Sequence, residues 1–443
     1  MAKTRDFNFS PDNDARTNTT ALQEAVNMTG TITIDEPGVY DIDDSIVIPS
    51  DTALVFGKGV YIRRTTDTGY VFINKGAYTR EYDHNISITG LNLLCNGHNS
   101  KQGNLITGLR GQVCFFYVKD LVIRDLLCLD LMEYSFCIQV CTFENLLIEN
   151  VHIEGLKDGI HIDKGCKFAI RHGIFKTFDD PIAINAHDYT TGSPEMGWIE
   201  DGIIEDCYDL EQEKTVGYFC RVLAGSWLDW YKGMLVQQSD TVVYNNRMYR
   251  VNMEPNDIFY TSNTPPSHEE GTKEYDGIKW TMTQDKGIVY NCGCRNIHFR
   301  YIYLKKERHT AFSLTFDKTK YSRGCYPNSI PPVQEDITFD HIYVQNEITD
   351  LIGIRTPVNT IKLTNSAIGN NRINLRNVEE EGITYIPAHI LISNVTFKGD
   401  GKQSLVYAAE GRKATLKING SIKENSTYEP VIEGDIDVLE KDI

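Results

Sequence analysis

Nowhere does the 443-residue chain gather the roughly 18 consecutive apolar residues that a membrane-spanning helix needs. Its start, Met1-Ala2-Lys3-Thr4-Arg5, runs straight into polar sequence with no signal-peptide core. These absences predict a soluble chain with no export signal, so a cytoplasmic location is expected; a secreted or periplasmic protein whose leader had been removed would read the same. Positive charge is also short. Lys and Arg number 44 against 61 Asp and Glu, a net charge of −17 spread along the chain without an acidic tail. That balance weighs against nucleic acid and anionic membrane as partners. An acidic polysaccharide stays admissible through a local basic patch, although the net field would not steer it. The 11 cysteines are odd in number and fall mostly inside apolar runs, which predicts buried thiols and a reducing compartment. Cys292-Gly293-Cys294 has no companion pair at zinc-ligand spacing, so neither a metal nor another cofactor is expected. Helical periodicity is scarce, and that excludes most α-rich architectures.

What the chain does have is an echo. Leu156-Lys157-Asp158-Gly159-Ile160-His161-Ile162-Asp163 and Phe178-Asp179-Asp180-Pro181-Ile182-Ala183-Ile184-Asn185 share a pattern 22 residues apart, with Asp158 over Asp180, Ile160 over Ile182 and Ile162 over Ile184. Another 22 residues back from Ile160 and Ile162 lie Ile138 and Val140, and the same step links Ile170 to Ile148. Similar short runs recur without strict spacing at Ile86-Ser87-Ile88, Leu121-Val122-Ile123, Ile297-His298-Phe299, Ile337-Thr338-Phe339, Ile361-Lys362-Leu363 and Ile390-Leu391-Ile392. Short strands of alternating apolar residues, joined by Gly, Asn and Asp turns and repeated at a fixed period, predict an all-β right-handed parallel β-helix, a solenoid that grows by adding coils.

Two departures from the pattern are expected. Thr20-Ala21-Leu22-Gln23 has capping-box spacing, and Leu22 with Val26 makes an apolar face, which predicts a short N-terminal helix over the open end of the coil. From about Ser226 to Gln284 the sequence turns aromatic and hairpin-like, with Asn245-Asn246 as a tight turn between two alternating strands and three of the four Trp, namely Trp227, Trp230 and Trp280. The expected organisation is a β-helix with its cap and catalytic coils over 1–225, a small inserted β module over 226–284, and C-terminal coils over 285–443. The module's rings serve either as its own small core or as a sugar-stacking wall.

The period also places chemistry. With Ile182 and Ile184 pointing into the coil, Ala183 and Asn185 point out, and by the same parity so do Gln139, His161 and Asp163. Asp158, Asp179 and Asp180 stand where a turn enters these strands. Coils stack about 4.7–4.9 Å apart, so the three carboxylates are near enough to shift one another's proton affinity and to hold a water. That is the equipment of glycoside hydrolysis: a proton donor for the leaving oxygen and a base or nucleophile opposite. Asp is common in solenoid turns for purely structural reasons. A pair with a third Asp in register one coil earlier points to catalysis instead.

From Glu149 to Asn185 the sequence resembles glycoside hydrolase family 28, the polygalacturonases and their relatives, on a pectin-lyase-like solenoid. Lys157-Asp158-Gly159-Ile160 stands for that family's Asn-Thr-Asp-Gly and Phe178-Asp179-Asp180-Pro181 for its Gly-Asp-Asp, at fitting spacing. The resemblance implies an inverting hydrolase in which Asp179 protonates the glycosidic oxygen while Asp158 and Asp180 hold and deprotonate the attacking water. The family's Gly-His-Gly is absent, with Tyr218 and Arg221 near the equivalent place. Its Arg-Ile-Lys is absent too, replaced only loosely by Arg355-Thr356-Pro357 or Lys305-Lys306-Glu307-Arg308-His309. Those cations grip the substrate carboxylate in the family, so a galacturonide or a neutral galactoside is implied, and family 110 α-galactosidases resemble this arrangement as well. Gln139, His161, Asn185, His187, Arg221, Trp227 and Trp230 are the expected sugar ligands, with His187 also a candidate auxiliary acid, and a carbohydrate is the expected partner. Two other classes fit the pattern less well: a lyase acting by β-elimination on a uronate polymer, whose aspartates would hold Ca²⁺, and a non-catalytic glycan-binding solenoid.

Overall fold

The computed structural model describes residues 2–67, 69–98, 106–213, 215–378 and 382–443. The chain folds as a right-handed parallel β-helix whose strands pair in parallel from coil to coil, as the 22-residue period predicts. Among the described residues no helix is long and apolar enough to cross a membrane. Contacts divide the chain into two compact units: Met1–Ala183 with Glu200–Phe219 and His298–Glu307, and Ile184–Ile199 with Cys220–Ile297 and Arg308–Ile443.

The first unit opens with the expected helix, but it runs over Ala15–Asn27 and begins earlier than the Thr20-to-Gln23 spacing suggests. Its N-cap is Asp14, whose side chain accepts from the Thr17 backbone N–H at 2.9 Å. Gln23 is no capping residue. Its amide donates to the Val47 carbonyl at 2.9 Å and accepts from the Val47 N–H at 2.8 Å, which stitches the helix to the edge of strand Ile46–Ile48. Leu22, Ala25 and Val26 are fully buried beneath it.

Coils follow. Strand Gly111–Leu131 pairs with Phe136–Gly155, which pairs in turn with Ile160–Ile162 and Gly165–Thr177. Ile138 sits over Ile160, Val140 over Ile162 and Ile148 over Ile170, in the expected register. The longest strands reach 21 and 20 residues because each wraps round the coil. Their bends fall on residues of positive φ five apart: Asp120 and Asp125, Asn145 and Asn150, Lys167 and His172, Asp201 and Asp206. Asn and Asp tolerate that left-handed geometry better than most residues, and here they also bond along the column, Asn145 to Asp120 at 2.9 Å and Asn150 to Asp125 at 2.5 Å. Inside the coil Val113, Ile138, Ile160 and Ile182 form one fully buried column and Ile123, Ile148 and Ile170 another, each side chain contributing about 1.5–3 kcal/mol of burial.

The second unit has its own coils, in which Cys220 lies over Phe312, Phe312 over Ile352, Ile352 over Ile373 and Ile373 over Val406. It also holds the aromatic module. Five strands, Leu228–Asp229, Thr241–Tyr244, Arg247–Val251, Ile278–Gln284 and Thr272–Tyr275, make a separate sheet, beside a pair formed by Met234–Val236 and Tyr260–Ser262. Asn245 and Asn246 both take positive φ, 48° and 57°, which gives the Thr241–Tyr244 and Arg247–Val251 hairpin the turn its sequence asks for. Trp280, Tyr249, Val242, Val251 and Ile278 pack with Met234 and Val236 as the module's core.

Candidate active site

The turn before strand Ile160–Ile162 and the turn before Ile182–Asn185 lie on consecutive coils: Gly159 N–H donates to the Asp180 carbonyl at 3.0 Å and Ile160 N–H to that of Pro181 at 2.9 Å. This register stacks the segment of Asp158 on that of Asp180 and brings the three aspartates together, one oxygen of each lying within 4.8 Å of the others. Asp158 and Asp180 are buried, while Asp179 keeps 21% of its side chain exposed. Asp180 is seated from the following loop, where its Oδ1 accepts from the Tyr218 N–H at 2.7 Å. Gly217 leaves room for that seat, since a Cβ there would stand 2.5 Å from the same oxygen.

Lys157 is the partner that pattern reading did not assign. Its Nζ forms an ion pair with Asp179 Oδ2 and lies 3.2 Å from Asp158 Oδ1. The signal was in the sequence: Lys157 precedes Asp179 by 22 residues, the period of the repeat.

Outward parity does not mean exposure. Gln139, His161 and Asp163 are fully buried and lie against one another, Gln139 bonded to Asp163 and His161 to Asp158. His161 Nδ1 is 3.1 Å from Asp158 Oδ2 and its Nε2 is 3.3 Å from Asp163 Oδ1. Asp163 Oδ2 accepts from Gln139 Nε2 at 3.2 Å, and Gln139 is further engaged with the Arg110 N–H at 2.7 Å and the Gly108 carbonyl at 2.9 Å. Neither His161 nor Gln139 presents a polar atom at the surface, so the expected role of both as direct sugar ligands gives way to one of supporting Asp158. Alternation fixes which way a side chain points and says nothing of what lies over it.

The remaining candidates belong to the second unit. Asn185 Nδ2 donates to Asp188 Oδ2 at 2.7 Å; Arg221, 19% exposed, lies 3.6 Å from the same oxygen. Asp317 joins this group: burial and the nearby Asp188 push its carboxyl up to about 6 against the opposing pull of Arg221. Nothing in the sequence singled Asp317 out, because its neighbours come from distant positions. His187 is buried, and desolvation with the charge of Arg250 holds its ring well below the usual histidine range. It is therefore neutral at pH 7, which removes it as an auxiliary acid. Its ring stacks on Trp227 at 5.8 Å. Trp227 is only 2% exposed and donates to the Val289 carbonyl at 2.8 Å, so its ring faces are closed to a sugar. Trp230, half-buried, donates to Ser262 Oγ at 2.8 Å and sits edge-on to Tyr244 at the border of the module's core. The aromatic stretch is a core first; of these two residues only Trp230 is more than marginally exposed.

No family model matches the sequence, and no curated protein matches it. Solved structures do. The N-terminal fragment of gene product 12 of bacteriophage Phi29 is 12% identical with a TM-score of 0.55, over 98% of this chain and 70% of that one. The family 28 exopolygalacturonase of Yersinia enterocolitica is 12% identical with a TM-score of 0.49, over 100% and 79%. The surface adhesin PfbA of Streptococcus pneumoniae is 11% identical with a TM-score of 0.45, over 98% and 100%. At 12% identity the likeness to the Phi29 fragment is one of fold alone.

Proposed function

We propose that the chain is a glycoside hydrolase that cleaves an α-linked galacturonide or galactoside with Asp158, Asp179 and Asp180. The observation that carries this reading is the approach of three carboxylates from consecutive coils, within 4.8 Å of one another, with one of them open to solvent. Asp179, the exposed member, is placed to protonate the leaving oxygen. Its ion pair with Lys157 has to open for it to take up and give that proton. Asp158 and Asp180 hold and deprotonate the water. The family resemblance implies inversion. Retention, in which one carboxylate attacks the anomeric carbon in place of water, is the alternative outcome. Proton NMR of the first-formed anomer separates the two. A lyase gains less support, because Lys157 stands against two of the three carboxylates where a bridging Ca²⁺ would sit.

The decisive experiment is a screen of aryl α-galactosides and α-galacturonides with the wild type and Asp179→Asn. A hydrolase loses turnover by a factor of about 10²–10⁴ in the variant while still binding the sugar. Equal binding by both with no turnover by either would leave a glycan-binding solenoid, and an ultraviolet-absorbing unsaturated product would indicate β-elimination.

A further inference from the structure

We propose that His161, carrying a proton on each ring nitrogen, is a positioning residue that holds Asp158 as an oriented anion, with Asp163 as the buried counter-charge that keeps the ring positive. The proposal rests on the hydrolase reading of the aspartate trio and assigns that trio's roles more sharply.

Both ring nitrogens of His161 face carboxylate oxygens, Asp158 Oδ2 at 3.1 Å and Asp163 Oδ1 at 3.3 Å, and all three side chains are fully buried. A neutral imidazole has one N–H and one lone pair, and here the lone pair would be aimed at an anion. Only the Nδ1 contact has hydrogen-bond geometry; Nε2 lies close to Asp163 Oδ1 without the alignment of a bond, and a proton on that nitrogen would turn the approach of a lone pair to an anion into an attraction between opposite charges. The surroundings favour the imidazolium. Asp158 Oδ1 lies 3.2 Å from the Lys157 ammonium, and Asp163 Oδ2 accepts from Gln139 Nε2 at 3.2 Å, so each carboxylate meets a second donor suited to an anion. Phe136 stacks on the imidazole at 4.0 Å between centroids and 12° between planes, offering a π face to a positive ring. Other ionisable or charged groups about the set are Cys114, whose thiol burial and Asp163 together push up, and Arg110, whose guanidinium lies 4.9 Å from the Phe136 centroid. On the next coil Ala183 brings no charge opposite His161.

A carboxylate held by two cations is a weak base. Asp158 then orients the water, and its proton goes to Asp180. As the water oxygen bonds to the anomeric carbon, the bond from that carbon to the leaving oxygen breaks; Asp179 gives its proton to the leaving oxygen and Asp180 receives one from the water. The two protons on His161 stay where they are throughout.

The test uses protein with ¹⁵N-labelled histidine. His161 is picked out among the 11 histidines by the signal lost in His161→Asn. Both of its ring nitrogens should resonate as protonated and stay so from pH 5 to pH 9, and Asp163→Asn should bring its titration into the range of about pH 6–8. A neutral single tautomer at pH 7 in the wild type overturns the proposal. On p-nitrophenyl α-galactoside and α-galacturonide, His161→Asn should lower kcat by about 10–100-fold at nearly unchanged KM, and His172→Asn, at an exposed corner, should match the wild type. A loss confined to KM also counts against it. Should His161→Asn not fold, Asp163→Asn carries both readouts. Absence of turnover by the wild type on every glycoside would sink the hydrolase reading alone, because the ring nitrogens still report the charge of His161.

Discussion

Lys157 neutralises two of the three aspartates at once, and removing it shows what the carboxylates do to each other. Lys157→Met leaves like charges packed together, and a carboxyl that loses an opposite charge binds its proton more tightly. The acid limb of the pH–rate profile is predicted to move up by about 1 pH unit; an unmoved limb would mean that Lys157 is not their counter-ion. Asp317 gives a second reading by pH. Its folded-state value of about 6 stands above the ordinary 3.8, so the native state binds the proton more tightly than the unfolded chain does. Stability from this group is full below about pH 4 and is lost as the pH rises through about 6. Asp317→Asn should therefore be more stable than the wild type at pH 8, by on the order of 3 kcal/mol, and alike at pH 4. Urea melts at the two pH values check it.

Elements hold these residues where they are, and the loop after Gly217 is a clear case. A Cβ at Gly217 would meet Asp180 Oδ1 at 2.5 Å, the Asp179 carbonyl carbon at 2.6 Å and the Asp180 N at 2.6 Å. Two of those atoms are backbone, which cannot swing aside. Gly217→Ala is predicted to cost about 1–3 kcal/mol and to unseat Asp180, lowering kcat far more than a substitution at the neighbouring exposed Val216; thermal melts and turnover of an aryl glycoside measure the two effects. At this scale much was legible beforehand. The step from Ile138 to Ile160 to Ile182 fixed the register, and register put Asp158 over Asp180. The start of the helix was not legible, because Thr20 and Gln23 imitate a cap while Gln23 is spent on Val47, a contact made by tertiary packing. The burial of His161 was hidden for the same reason: period 2 names a face and not its cover. Lys157 could have been found, since it answers to Asp179 at the same offset that revealed the repeat.

For the whole molecule, burial decides what the thiols can do. All 11 cysteines are free, and Cys166 alone among them is not buried. Ellman's reagent should titrate about one thiol in the folded protein and all 11 in guanidinium; several fast-reacting thiols under native conditions would contradict this packing. The bends at positive φ bear on how such a chain changes its length. Because each coil turns its corners at fixed places, deleting one residue from a strand would put every inward side chain outward beyond that point. Deleting one whole period, such as the 22 residues that separate Ile138 from Ile160, would instead present the next coil with equivalent partners. Heritable insertions and losses in this protein should therefore be quantised, tolerated between the corners one coil at a time and rejected one residue at a time.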